Sequence, residues 1–205
     1  EVCFVKDESS LYFYTFSDGV VAVEILNKTI EGEFETVVVS LDKFYSFIQT
    51  SADNNVRLKI SPKKLEVRDS SGSGSLSRSV VRFEIELPKE SELNATISYT
   101  VFSDLCRVVN ISDKKDSPRP VLNGVLFTLE NGGIWSMAAN GVAFGYAWEQ
   151  SNSINVAKAE TALIRSESLN IAQKYDFGQS DILFYRSDSR KIVFGNKWKT
   201  SYLFL

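Results

Sequence analysis

Histidine is absent from all 205 residues. Its absence removes the side chain most often used as a general base near neutral pH and the commonest protein ligand for transition metals. Cysteine is scarce: Cys3, in strand-like surroundings, and Cys106, in helix-like ones, make neither a disulfide framework nor a metal cluster. Both are expected to be reduced core residues. The chain has no CxxC pair, no Gly-rich phosphate loop followed by Lys and Ser or Thr, and no G-x-S-x-G elbow. Acidic residues such as Asp181 and Asp188 could pair, but loop carboxylates are ordinarily just solvated. The expectation is therefore no catalytic residue, no metal and no cofactor. No apolar run approaches the roughly 20 residues of a membrane-spanning helix, and no signal-peptide pattern opens the chain. The expected compartment is the cytoplasm, with no membrane partner. An excess of positive charge is missing too. The formal net charge of -3 excludes a uniformly basic body but not a local basic surface.

What remains is an ordinary globular composition, 43% hydrophobic and 24% charged, enough for one large domain or two of about 100 residues. The chain opens at Glu1 and its single methionine is Met137, so a longer translation product is expected. Strands are read at Val2 to Lys6, Ser10 to Phe16, Val20 to Leu26 and Thr36 to Val39, with turns at Asp7-Glu8-Ser9 and Asp18-Gly19. Ser40 should cap a helix from Leu41 to about Thr50, burying Leu41, Phe44, Phe47 and Ile48. Val56 to Ile60, Lys64 to Arg68 and Val80 to Leu87 read as strands, with Asp69 to Ser79 as a mobile Gly/Ser loop. Pro88 to Asn94 reads as a linker. Thr96 or Ser98 should cap a helix from Ile97 to about Asn110 with Ile97, Val101, Leu105, Val108 and Val109 buried.

The most informative stretch is Arg119 to Tyr146. Val121, Val125, Phe127 and Leu129 share one phase of a two-residue period, and Leu122 and Leu126 fill the other, which predicts a strand buried on both faces. Asn131-Gly132-Gly133 should make a tight hairpin to Ile134 to Ala139, and Asn140-Gly141 should reverse the chain into a strand from Val142 to Trp148. Ala162 to Ile164, a helix from Arg165 to Tyr175, and strands at Ile182 to Tyr185, Lys191 to Phe194 and Thr200 to Leu205 complete the pattern.

Two halves repeat. Ser17-Asp18-Gly19-Val20 matches Ala139-Asn140-Gly141-Val142, and Val37 to Ser40 matches Ala162 to Arg165. Leu65 to Val67 matches Ile192 to Phe194, and Arg82 to Ile85 matches Ser201 to Phe204. A duplicated domain is expected, residues 1–90 and 91–205, whose first copy lacks a counterpart of Asn94 to Asn110.

The run Arg119-Pro120-Val121-Leu122-Asn123-Gly124-Val125-Leu126, followed by a hairpin and an Asn-Gly turn, resembles the middle domain of the bacterial DNA sliding clamp, the beta subunit of DNA polymerase III. The chain would be a first domain lacking its opening plus a complete middle domain, with the third domain absent. The resemblance implies an α+β fold of repeated antiparallel sheets with helices on one face that line a homo-oligomeric ring. It implies a non-catalytic processivity factor that encircles duplex DNA without reading sequence and works in the cytoplasm at the nucleoid. The implied DNA-facing candidates are Lys43, Arg107 and Lys174 on the helices, and Lys114, Lys115 and Arg119 in the preceding loop. DNA polymerase and clamp-loader tails would dock at Leu122, Gly141, Val142, Ala143 and Phe144, although Val142 and Phe144 also fit plain strand core. Here the chain departs from the family, which commonly has His-Arg after the turn where this sequence has Val142-Ala143. That departure keeps open a clamp-related binding module, of phage or plasmid type, that inhibits or diverts a host clamp or its partners.

Overall fold

The computed structural model describes residues 1–7, 10–17, 19–26, 36–51, 55–78, 85–112, 118–130, 132–150, 154–186 and 191–205. The turn at Glu8-Ser9, Asp18, the acidic connection Glu31 to Glu35, most of the strand expected at Val80 to Leu87, Lys114, Lys115 and Asn131 lie outside the described residues. Two compact units are present, one of residues 1–16 and 22–86 and one of residues 17–21 and 87–205.

In the first unit, β1 (Val2–Asp7), β2 (Ser10–Ser17), β3 (Val20–Leu26) and β4 (Val37–Val39) lie in the order β3, β2, β1, β4. Gly19, at a φ of 78°, supplies the left-handed residue of the turn from β2 to β3. The Ser40 hydroxyl accepts the Lys43 N–H at 3.5 Å and caps α1 (Leu41–Thr50). Leu41, Phe44, Phe47 and Ile48 lean on a core of Val2, Phe4, Val37, Val39, Leu65 and Val67. After it come β5 (Arg57–Ile60), β6 (Lys64–Arg68) and β7 (Ser73–Ser77), an antiparallel sheet in chain order.

β7 overturns the expectation of a mobile loop. The Asp69 carboxylate accepts hydrogen bonds from the Ser71 N–H (2.9 Å), the Ser71 hydroxyl (2.7 Å) and the Gly72 N–H (2.9 Å), which closes a turn and returns the chain along β6. Those donors, the Ser71 hydroxyl first and the Ser51 hydroxyl after it, hold the Asp69 carboxyl down at about 2. Gly74 leaves room for the Phe47 ring, whose edge would lie 2.3 Å from a Cβ added there. Composition signalled flexibility, but small residues were what this packing required.

In the second unit, the expected linker is instead a 3₁₀ turn, Glu90–Glu92, running into β8 (Leu93–Ile97). Asn94 anchors it: its buried side chain accepts the Arg186 N–H at 2.8 Å, and its carbonyl accepts the Ala157 and Lys158 N–H groups at 2.7 and 3.1 Å. Ile97 therefore ends a strand rather than starting a helix. Ser98, accepting the Val101 N–H at 3.3 Å, caps α2 (Tyr99–Cys106), and Arg107–Asn110 continues as a 3₁₀ turn. The buried stripe is Phe102, Leu105, Cys106, Val108 and Val109, with Val101 only half-buried. Cys3 and Cys106 are both buried and free, as expected.

Pro120–Asn123 is a 3₁₀ turn, so Val121 and Leu122 do not belong to the strand, and Val121 is 63% exposed. Proline at its start removes an N–H that a strand would need and fixes the φ that the turn wants. β9 (Gly124–Glu130) buries Val125, Phe127 and Leu129 while Leu126 stays half-buried, so one face is interior rather than two. β10 (Gly133–Ala139), β11 (Phe144–Gln150), β12 (Asn155–Val156) and β13 (Glu160–Arg165) follow. The order β11, β10, β9, β13 makes one antiparallel sheet. After α3 (Ser166–Lys174) come β14 (Ile182–Arg186), β15 (Ile192–Asn196) and β16 (Ser201–Phe204), and β12, β8, β14, β15, β16 are successive neighbours.

One order of elements occurs twice. β1, β2, β3, β4, α1, β5, β6 and β7 correspond to β9, β10, β11, β13, α3, β14, β15 and β16. Three of the four sequence matches fall on corresponding elements. The fourth lies largely outside the described residues, at Arg82 to Glu84, and β7 takes the place in the order that β16 has in the second unit. Among the described residues no helix is long and apolar enough to cross a membrane, and no cluster of acidic or cysteine side chains could hold a metal.

Candidate DNA and partner interface

The turn between β10 and β11 is built by Asn140. Its side-chain oxygen accepts the Val142 N–H at 3.0 Å and the Ala143 N–H at 2.8 Å, while its own N–H donates to the Ala143 carbonyl at 3.1 Å. Gly141, at a φ of 85°, is the residue that this geometry demands. Val142 and Ala143 therefore sit in the turn, and β11 starts two residues later than its apolar run suggests. Val142 is 98% exposed and Phe144 64%, which removes the reading of both as strand core. Leu122 reaches the same place: its Cδ1 lies 3.8 Å from where a Gly141 Cβ would be. Leu122 thus lies beside Gly141, with Val142, Ala143 and Phe144 adjoining along the chain.

The 3₁₀ turn carrying Leu122 is held from below. Ser166 Oγ, at the start of α3, lies 2.9 Å from the Asn123 carbonyl and 2.6 Å from Ser112 Oγ, and the Ser112 hydroxyl donates to the Val109 carbonyl at 2.6 Å. Buried hydroxyls linking three segments fix the position of Leu122 relative to the helices.

Sequence reading missed what lies beside this turn. Phe144, Tyr146 and Trp148 project from one face of β11 at 64%, 61% and 50% exposure. Trp148 stacks on Trp135 of β10 at 5.4 Å, and Phe144 lies 6.2 Å from Tyr146. In register across the sheet, Tyr146 meets Met137, Met137 meets Leu126, and Leu126 meets Leu163, itself 46% exposed. An apolar face this continuous marks an interaction surface on a folded protein. The signal was available in the opposite phase: Gly145 and Ala147 are the small residues of β11, and a Cβ on Gly145 would meet Ile111 Cδ1 at 2.0 Å. A phase that cannot hold a side chain is the packed one, so the aromatics had to point outward.

The expected DNA-facing residues fall into separate groups. In the second unit, Arg107 follows α2 and Lys174 ends α3, two helices that pack together, and both side chains are exposed. Arg107 is paired with Asp104 at 3.2 Å. Lys174, in the last turn of α3, also complements the helix dipole. Arg119 is exposed at the head of its 3₁₀ turn. In the first unit, Lys43 is exposed on α1. Across α2, its 3₁₀ continuation and α3, Arg107 and Lys174 are matched in number by Asp104 and Glu167, so the net charge of these helices is balanced rather than basic.

By sequence, no family model matches this chain and no curated protein is similar to it. Among solved structures, the chain is similar in fold to the DNA polymerase III subunit beta of Pseudomonas aeruginosa, at a TM-score of 0.83 and 16% identity over 99% of this chain and 55% of that one. The DNA polymerase sliding clamp of Bacillus subtilis gives a TM-score of 0.82 at 16% identity, with the same coverage. The Helicobacter pylori beta clamp, solved bound to a DNA ligase peptide, gives 0.73 at 13% identity, covering 99% of this chain and 56% of that one. The chain therefore has the sliding-clamp fold and spans about half the length of the solved clamps that it matches.

Proposed function

We propose that this chain is the clamp-fold portion of a non-catalytic DNA-tethering protein, one that encircles duplex DNA in a closed ring and holds a polymerase on its template. The observation that carries this reading is the likeness of fold to sliding clamps along 99% of the chain. A clamp needs no chemistry, only a surface that attracts phosphates without gripping a base, so that contacts exchange as the ring slides. Lys43, Arg107, Lys174, Arg119, Lys114 and Lys115 would provide those contacts. The test is retention on nicked circular DNA against the same DNA linearised, with Lys114→Glu/Lys115→Glu as the variant. Loss of the protein from linear ends only, and a flatter salt dependence in the variant, are expected; equal retention on both forms would overturn the ring.

The apolar site at Leu122, Gly141, Val142, Ala143 and Phe144 is the natural seat for a partner's peptide tail with apolar anchors. Phe144→Asp should abolish binding of such a peptide, followed by fluorescence polarisation, while leaving DNA retention unchanged. A second reading is favoured by two observations: the charge balance of the helices and Val142-Ala143 in place of the family's His-Arg. A module that occupies or diverts a host clamp's partners needs the apolar site but not the ring. Sizing the protein with and without DNA separates the two.

A further inference from the structure

A concentration of positive charge falls on residues that the tethering reading does not use. Residues 57–78 carry Arg57, Lys59, Lys63, Lys64, Arg68 and Arg78 against Glu66 and Asp69, a net of +4 in a chain whose formal net charge is -3. The three-stranded sheet β5-β6-β7 arranges most of these cations on one face. Leu65 and Val67 of β6 point into the core, and Leu58, Ile60 and Leu76 pack against it. By strand alternation the other phase looks away from α1. Register then sets Arg57 beside Arg68 beside Ser73, Lys59 beside Glu66 beside Ser75, and Lys64 beside Ser77. Arg57, Lys59, Lys64, Arg68 and the three serines are exposed, and no large apolar side chain interrupts them. Of these cations only Lys64 is ion-paired among the described residues, to Glu66 at 2.6 Å. Lys64 and then the neighbouring Lys59 and Arg68 lower the Glu66 carboxyl, as a carboxylate surrounded by cations should respond.

We propose that this face binds the sugar-phosphate backbone of nucleic acid, independently of sequence. Neighbouring strands stand about 4.8 Å apart and alternate residues about 6.8 Å apart, so the cations form a grid on the scale of backbone phosphates. Serine hydroxyls between them add neutral donors to phosphate oxygens. A face without an exposed aromatic or aliphatic anchor suits neither a membrane interface nor a protein hot spot. The site goes beyond the tethering reading, because it lies on the side of its sheet away from α1 and uses none of the helix residues.

The experiment measures binding of a 30-base-pair duplex by fluorescence anisotropy between about 50 and 200 mM salt. Arg57→Glu/Lys59→Glu/Arg68→Glu should lose at least about tenfold in affinity, and its slope of log K against log salt should fall by about 3. Lys158→Glu/Lys191→Glu/Lys197→Glu makes the same change in net charge elsewhere and should change the slope by less than about 1. Equal losses in the two triple variants would overturn the site, as would binding to phosphatidylserine vesicles but not to DNA. A third variant, Lys43→Glu/Arg107→Glu/Lys174→Glu, separates this site from the tethering reading, since either set can fail while the other holds. If the first variant does not fold, acetylation footprinting of the unaltered protein decides: DNA should protect Lys59, Lys63 and Lys64 but not Lys158 or Lys191, and the reverse pattern would sink the proposal.

Discussion

The two units run through the same order of elements, yet one packs its helix and the other only rests it on the sheet. α3 buries Ser166, Ser168, Leu169 and Ala172, whereas α1 buries no residue at all, although its apolar side chains are cleanly segregated on one face. The strands after each helix differ in the same way. β15 and β16 are buried at every position, while β5 alternates between exposed and half-buried. The cause is visible in the element order. In the second unit β8 pairs with the edge of β14, and α2 packs beside α3. Among the described residues of the first unit, β5 has only β6 as a neighbour and α1 has no companion helix. Amphipathic pattern therefore says which face of an element turns inward, and neighbours decide how far water is excluded from it.

The largest expected effect tests that difference directly. Phe102 is 1% exposed, with its ring 4.9 Å from Phe194 and 6.1 Å from Phe177. Phe102→Ala should cost about 3–5 kcal/mol by transfer and cavity terms together. Phe47→Ala on half-buried α1 should cost roughly 1–2 kcal/mol, because water already reaches part of the ring. Urea unfolding of the two variants measures both. Equal losses would mean that α1 is as well enclosed as α2, the helix packed beside α3, and the comparison would break.

How much of this was legible follows the same physics. Hydrophobic period placed all three helices and most strands, and residue type alone announced Ser40 as one cap and Thr96 or Ser98 as another, of which Ser98 is used. The repeat was readable because turns at Gly19 and Gly141 need a positive φ that few other residues accept. What failed were features settled by distant partners. β8 was hidden in a polar stretch because Asn94 is satisfied by Arg186, 92 positions away. β7 was hidden because glycine and serine there are chosen by the Phe47 ring and by pairing with β6. In the candidate site, Leu122 and Gly141 were found together, whereas the exposure of Tyr146 and Trp148 depended on the packing of Gly145 against Ile111.

A smaller effect compares two close-packed glycines. A Cβ on Gly124 would meet the Ile164 carbonyl oxygen at 2.9 Å, and backbone of a paired strand cannot step aside. Gly124→Ala should therefore cost about 1–3 kcal/mol. On Gly74 the Cβ would come nearer still, 2.3 Å from Phe47, but the obstacle is the far edge of a half-buried ring. If the first unit is the looser one, Phe47 swings aside and Gly74→Ala costs less than about 1 kcal/mol, despite the shorter distance. A larger loss at Gly74 than at Gly124 would show that α1 is held more firmly than its exposure indicates.

The smallest effect leaves stability at neutral pH unchanged and reads the two interiors through their thiols. Burial, and after it the Glu1 carboxylate, pushes Cys3 up to about 11. Burial alone pushes Cys106 up to about 12. The ordinary value is 9.0 for both, so the folded state holds each proton more tightly than the unfolded chain does. Their contribution to stability is complete below about pH 9 and is lost as pH rises through 11 and then 12. At pH 8 the thiolate fraction is roughly one in a thousand for Cys3 and roughly one in ten thousand for Cys106. Iodoacetamide should therefore label both slowly, with Cys3 the faster of the two, read by mass spectrometry of peptides from the intact fold. Faster labelling of Cys106 would reverse the ranking of the two interiors, because the thiol beneath the paired helices would then be the one that water reaches first.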